Sequence, residues 1–468
     1  IAKFLNKNFD ELKKKLSKKF WSQIQESLLS PRMVYTGSYD TANDHVRHIF
    51  SENPSNINTK EIYKILEIGK FKWFNSPIID LNKPDDIYFT THINAKSNPG
   101  HYFSKLISHK KGTVLEYSVP IAVTLLKEIA EKPCKNFYLW QMLGREKDIK
   151  VDQATGTEVG TRIIMNTEAP ASLLLCNFAQ KISLALQQNS QNIKFDTKEE
   201  FDARKYRKYY ENNLKYDYWV DADWKNFDSN VERQFIIIAM EILLSEISKL
   251  NKENCRICFY IMSSIITKYV AVPPGIVVEL NKSVPSGHPF TTLCNCNVNL
   301  IYWSIIGYKI YGENYTDMMD ITVYGDDALV WFKYHKNLAK IDTIINSIGI
   351  KSEPLIQNLY PCKLNVGIEE HPDFLKRRFN MVEIKWNTKK MFDRLLYQTK
   401  NRDIIDQLDL PFSYLQTAPF DDDLFYFCKK YLQFMRLQYF EEIDREVIDK
   451  YTKILSDIGK TKSRFTEK

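Results

Sequence analysis

Two short apolar runs, Ile321–Tyr324 and Ala328–Phe332, are separated only by Gly325, Asp326 and Asp327. The pattern reads as strand, tight turn, strand. Few folds can hold it, because two adjacent carboxylates between apolar strands cannot both be buried unpaired. Desolvating an ionised carboxylate costs about several kcal/mol. Either the turn is solvated, as Gly-Asp turns commonly are, or something positive sits against it.

A second carboxylate set favours the positive partner. Tyr216–Val220 reads as a short strand and Ser229–Leu250 as a long apolar-faced helix. Asp223 falls just past that strand and Asp228 on the turn into the helix. A strand-end Asp beside a two-Asp hairpin is what a pair of divalent cations about 3.5–4 Å apart requires. Such a pair would activate an attacking hydroxyl and stabilise a leaving pyrophosphate. Between the two sets lies Ser286-Gly287-His288-Pro289-Phe290-Thr291-Thr292-Leu293-Cys294-Asn295. Gly287 is expected to give a flexible loop. Thr291 and Asn295, four apart, share one face of a helix expected from about residue 289 to 308, where polar groups among apolar ones ask for a partner.

These three stretches, in this order, resemble motifs A, B and C of a viral RNA-dependent RNA polymerase: Asp, four residues, Asp; Ser-Gly, three residues, Thr, three residues, Asn; and Gly-Asp-Asp. The residues Asp223–Ser229 and Val284–Gly287 most resemble polymerases of partitivirus-like double-stranded RNA viruses, a group that includes the cryspoviruses. The resemblance implies that Asp223, Asp326 and Asp327 hold two Mg²⁺ or Mn²⁺ ions. It implies that Asp228 and Asn295, with Thr291 and the motif B Ser286, contact the incoming ribonucleotide. A site built to hydrogen-bond the 2′-hydroxyl leaves buried polar groups unpaired when a deoxynucleotide enters. Reverse transcriptases are similar in motifs A and C but usually carry an aromatic gate near the Asp228 position.

Gly144–Lys150 and Gly160–Ile164 resemble motif F, with Arg162 packing on the base and Lys150 or Arg145 meeting the triphosphate. Ser97–Gly100 resembles the template-path motif G. Phe374–Phe379 resembles motif E, in which Lys376, Arg377 and Arg378 suit phosphate contact; an exposed basic edge strand is the plainer alternative. Gly287, Ser97 and Gly100 complete the implied RNA-contact set. A motif D lysine that protonates pyrophosphate falls on Lys351 or Lys363, and both remain candidates.

The implied fold class is α+β, a right-hand polymerase with fingers, a palm built on an antiparallel sheet, and a small helical thumb. The expected division is 1–90 amino-terminal extension and fingertips, 91–215 fingers, 216–232 palm, 233–280 fingers insertion, 281–384 palm and 385–468 thumb. The implied partners are RNA template and product strands, nucleoside triphosphates and a capsid protein, with no membrane, in the virion interior and host cytoplasm. A catalytically silent RNA-binding protein of the same shape is a rival, but it has no need to cluster these charges.

Composition adds bounds. The 468 residues, 44% apolar and 26% charged, allow roughly three domain-sized globular units. A net charge of +7 is too diluted to identify a partner. Only 15 residues are glycine, so each glycine is worth locating. The eight scattered cysteines suggest free thiols in a reducing compartment, and Cys255 with Cys258 reads better as buried thiols than as half a zinc site. Arg256 and Lys268 interrupt the most hydrophobic region, so no membrane span is expected. Phe9–Leu29 reads as one amphipathic helix with a lysine-rich face. Asp421, Asp422 and Asp423 are expected to open a helix in a mainly helical carboxyl-terminal region. The chain opens on Ile, so an earlier segment is expected.

Overall fold

The Ile321–Phe332 hairpin forms as read. Strands Met319–Tyr324 and Asp327–Phe332 pair antiparallel from Met319 opposite Phe332 to Tyr324 opposite Asp327, which leaves Gly325 and Asp326 as the turn. Gly325 takes φ +64, a conformation that is cheap for glycine. The computed structural model describes residues 1–29, 46, 49–50, 57–69, 80–84, 87, 91–135, 138–145, 150–151, 158–159, 162–189, 203–222, 224, 226–247, 251–272, 275–349, 359–362, 371–375, 377–379, 384–396, 403–439 and 441–466. The chain forms two compact units, one of residues 35–195 and 222–357, the other of residues 1–34, 196–221 and 358–468.

The first unit contains the hairpin and a four-stranded sheet in the order Arg162–Asn166, Trp140–Arg145, Lys268–Val272, Ile276–Leu280. Its neighbours pair antiparallel except Trp140–Arg145 with Lys268–Val272, which run parallel. Trp140, Met142, Ile163, Met165, Val270 and Leu280 form a core beneath the sheet. The helix Thr291–Tyr311 runs through the unit with apolar and polar residues buried on every face. That pattern marks a helix surrounded by protein.

The long helix expected over 229–250 is instead two, Phe227–Asn230 and Arg233–Ile247. The interruption has a tertiary cause. The Asp228 carbonyl accepts from Val284 N–H, and the Val231 carbonyl from Ser283 N–H, both at 2.8 Å. Those oxygens are therefore turned out of the helical ladder. The next helix spans Lys252–Ile266, with Asn251 accepting from Asn254 N–H as its cap.

The second unit pairs Tyr218–Ala222 with the short strand Tyr360–Pro361 through Trp219 opposite Tyr360. Its helices Thr388–Leu396, Ile404–Thr417, Asp422–Gln438 and Arg445–Thr466 share a core with the amino-terminal residues Phe4, Leu12, Phe20, Trp21 and Ile24. The single helix expected over Phe9–Leu29 breaks into Phe9–Lys15 and Lys18–Leu29. Ser17 is the reason. Its N–H and hydroxyl both donate to Asp423, at 2.8 and 2.5 Å, while its Oγ accepts from Phe20 N–H. Lys13, Lys14, Lys15, Lys18 and Lys19 are exposed. Asp421 caps its helix by accepting from Leu424 N–H at 3.0 Å, as the acidic run implied.

No disulfide joins any of the eight cysteines; of the two expected to be buried, Cys255 is exposed on the helix surface and Cys258 is half-buried. Among the described residues no helix is long and apolar enough to cross a membrane.

Candidate active site

The Thr291–Tyr311 helix sets the geometry of the site by holding the Gly325–Asp327 turn at two places. The Cys296 thiol sulfur accepts from Gly325 N–H at 3.1 Å. The Asn299 amide nitrogen donates to the carbonyls of Gly325, Asp326 and Asp327 at 3.0, 3.1 and 3.3 Å. Burial pushes the Cys296 thiol up to about 12, which keeps it protonated in this role. The Asp326 and Asp327 side chains stay half-buried at the rim, while Ala328–Phe332 behind them are buried. The turn backbone is thus held from the helix side, and its two aspartates are only half-buried.

The same helix carries Asn295, one of the two residues expected to recognise ribose, and the short helix Phe227–Asn230 carries the other, Asp228. Asn295 Nδ2 donates to Asp228 Oδ1 at 2.5 Å. Asn295 is 4% exposed, and its buried Oδ1 has no hydrogen-bond partner among the described residues. A buried amide oxygen left open beside a fixed carboxylate is an acceptor for an incoming hydroxyl. Thr291 sits one turn earlier, but its hydroxyl faces the carbonyls of Pro285 and His288, both at 2.6 Å. Its observed contacts therefore close the motif B loop. Asn226, before Asp228, has φ +50, a left-handed conformation that Asn tolerates better than most residues.

The loop itself is pinned to the sheet rather than free. Ser286 Oγ donates to the Ile163 carbonyl at 3.2 Å. A Cβ on Gly287 would meet the Met165 carbonyl oxygen at 2.1 Å. The flexibility expected of Gly287 is corrected here: its φ is not positive, and the hydrogen side chain is needed for close approach of two backbones. His288 is buried, stacked on Trp140 with centroids 5.6 Å apart. Its Nδ1 accepts from Phe290 N–H at 3.0 Å, so the proton sits on Nε2, 2.9 Å from Ser264 Oγ, which in turn donates to the Ile261 carbonyl. Behind it Lys268, fully buried, donates to the carbonyls of Ile265, Ile266 and Ser283. Burial pulls the Lys268 ammonium down to about 7.

Burial, with Lys268 nearby, holds the His288 imidazole down at about 3. In the unfolded chain it would titrate near about 6.5. Between these values the unfolded state binds the extra proton, so His288 contributes stability that is full above about pH 6.5 and is lost as pH falls toward 3. Urea unfolding across this window should show that slope in the wild type. The slope should shrink in His288→Gln, and an unchanged slope would remove the assignment.

The remaining candidates are described in part, each within its own unit. Trp140–Arg145 and Arg162–Asn166 form a ribbon with Arg145 directly opposite Arg162, and Lys150 pairs with Val159 in a short hairpin farther along the chain. Only the backbone of these three cations belongs to the described residues. Gly100 has φ +106, and a Cβ there would lie 2.5 Å from Glu168 Oε2. Glu168 Oε1 accepts from Tyr102 N–H, the Asn98 carbonyl accepts from Asn166, and Ser97 Oγ donates to the Asn94 carbonyl. The Ser97–Gly100 loop is therefore folded against the end of the ribbon. In the second unit Arg377 is 3% exposed, with its guanidinium over the Trp386 ring, and Arg378 is half-buried. Asp223, Lys351, Lys363 and Lys376 lie outside the described residues.

This arrangement coincides with a known family. Residues 144–419, more than half of the chain, match the model described as viral RNA-dependent RNA polymerase. The chain belongs to the viral RNA-dependent RNA polymerase family. Its similarity to individual family members is partial. It is 26% identical over 173 residues to the genome polyprotein of Bovine enteric calicivirus NB, covering 35% of this chain and 8% of that protein. It is 24% identical over 237 residues to the genome polyprotein of Human hepatitis A virus genotype IB, covering 48% and 10%. The match to the non-structural polyprotein 1AB of Ovine astrovirus 1 is 26% over 121 residues, covering 24% and 9%. The chain thus spans about a tenth or less of the length of these relatives.

For a viral RNA-dependent RNA polymerase of this α+β, right-hand class, the donor set at the turn fits divalent cations. Asp326 and Asp327 offer adjacent, half-exposed carboxylates, the hard oxygen ligands that Mg²⁺ and Mn²⁺ take. Among the described residues no three His, Cys, Asp or Glu side chains converge, and the third expected ligand, Asp223, is not among them. Asn299 and Cys296 are the polymerase residues that motif spacing missed. Asn299 lies four residues beyond Asn295 on the same face, so extending the Thr291 and Asn295 spacing by one turn would have found it.

Proposed function

We propose that the chain catalyses template-directed RNA synthesis from nucleoside triphosphates, extending a 3′ end by in-line phosphoryl transfer. The observation that carries this reading is the open, buried Asn295 Oδ1 beside Asp228, on the helix that fixes the Gly325–Asp327 turn. Asp223, Asp326 and Asp327 would hold two Mg²⁺ or Mn²⁺ ions, which supply activation of the attacking 3′-hydroxyl and charge neutralisation at the leaving pyrophosphate. Asp228 orients Asn295 through the hydrogen bond to its amide nitrogen, and Asn295 Oδ1 accepts from the ribose 2′-hydroxyl. Arg145, Lys150 and Arg162 meet the triphosphate and base, with Ser286 on the loop beside them. Either Lys351 or Lys363 delivers a proton to pyrophosphate. Ser97, Gly100 and Gly287 border the template, and Lys376, Arg377 and Arg378 lie on the product side.

In this reading 216–232 and 281–384 are palm, 91–215 fingers, 233–280 their insertion, 385–468 thumb and 1–90 the extension and fingertips. The enzyme would replicate and transcribe a viral RNA genome. The residues flanking motifs A and B support a partitivirus-like double-stranded RNA virus, and hence work inside the virion and host cytoplasm beside capsid protein. Extension of an RNA template by purified protein, with and without primer and with Mg²⁺ and Mn²⁺ in turn, tests the activity. Template-independent or absent incorporation would reject it. Asn295→Ala should reduce preference for ribo- over deoxynucleotides by about tenfold or more while chemistry persists. Unchanged discrimination would remove Asn295 from that role.

A further inference from the structure

Asn299 stands at the one point where the described parts of motifs A, B and C are tied by a single side chain. It is completely buried. Its Oδ1 accepts from the indole N–H of Trp224 at 2.8 Å, while its Nδ2 serves the three consecutive carbonyls of Gly325, Asp326 and Asp327. An amide nitrogen has two hydrogens, so three acceptors share them and all three peptide planes of the turn are oriented by one group. Trp224 directly follows Asp223 in the chain. Its ring is held in turn by Tyr302 and Trp303 of the same helix, with centroids 5.7 and 5.6 Å away. Core filling alone would be met by an apolar side chain. A buried amide with both ends used, one on each carboxylate-bearing segment, does more than fill space.

We propose that Asn299 is a positioning residue that fixes the spacing between the Asp223 segment and the Asp326–Asp327 turn, and so tunes how well the carboxylates bind divalent cations. The inference rests on the metal-binding reading given above. Asn299 touches no reacting atom. It acts by orienting the backbone from which the carboxylates project, with Cys296 holding the Gly325 N–H of the same turn.

Two variants test it. Asn299→Leu keeps the branched heavy-atom skeleton, with bulkier methyl ends, and removes all four hydrogen bonds. Trp224→Phe keeps the ring and removes only the indole donor. Binding of Mn²⁺ to the purified protein, followed by loss of the free-ion electron paramagnetic resonance signal, gives a readout independent of synthesis. The Mg²⁺ concentration for half-maximal extension gives a second. Asn299→Leu should raise both midpoints at least about tenfold and Trp224→Phe about threefold. Affinity for a template–primer RNA without metal should stay within about twofold of wild type. If Asn299→Leu fails to fold, Trp224→Phe decides the matter by the same midpoints. Wild-type midpoints in a folded variant, with any rate loss matched by loss of folded protein, would overturn the positioning role and leave the metal reading intact. A wild-type protein that binds no Mn²⁺ would overturn both.

Discussion

Asp326→Asn should lower the rate of nucleotide addition by at least about a thousandfold, on the order of 4 kcal/mol in the activation barrier. The substitution is nearly isosteric, and Asn is at home in turns. Gly325 still supplies the positive φ, and Asn299 and Cys296 still hold the backbone of the turn. The fold should therefore survive, with a melting temperature within a few degrees of wild type. On the proposed two-metal reading, what disappears is one negative oxygen that would hold a cation against a phosphate. Single-turnover extension at saturating Mg²⁺ measures the effect. A rate within tenfold of wild type, in folded protein, would mean that Asp326 is not a metal ligand.

Gly287→Ala is expected to be the second severe change, for a different physical reason. The added methyl would lie 2.1 Å from the Met165 carbonyl oxygen and 3.0 Å from its carbon, and both belong to backbone that cannot rotate away. Overpacking of this kind costs about 1–3 kcal/mol or more. The strain falls on the loop that carries Ser286 and leads into Thr291 and Asn295. We expect kcat/KM for the incoming nucleotide to fall at least about a hundredfold, on the order of 2.7 kcal/mol. Gly325→Ala is the useful contrast, since no described residue lies within 4 Å of its Cβ position but φ is +64. There the cost is conformational, about 1–2 kcal/mol. Nearly normal nucleotide kinetics in Gly287→Ala would show that the loop can leave the sheet without consequence.

The hairpin and its carboxylates were legible because they depend on local alternation and one glycine. The Asp421 cap was legible for the same reason: its partner is three residues away. The breaks in two helices were not, because their causes are remote in sequence. Ser17 is held by Asp423, and Asp228 and Val231 surrender their carbonyls to Val284 and Ser283. Periodicity carries no signal for such bonds. Gly287 shows the same limit from another side. Composition reveals that a side chain is missing there, while only the fold reveals that the space is filled by Met165. Asn299 lay between these cases, visible as a polar position in an apolar helix, but with partners that only the folded chain supplies.

The strand Arg162–Asn166 bears on both the Ser286–Gly287 loop and the Ser97–Gly100 loop. Ile163 and Met165 meet Ser286 and Gly287, and Asn166 holds Asn98 of the second loop, which in the proposed function borders the template. One strand that anchors two loops makes any displacement of the one felt by the other. Substitutions that loosen this strand should change copying accuracy and processivity together, and selection for one property would carry the other with it.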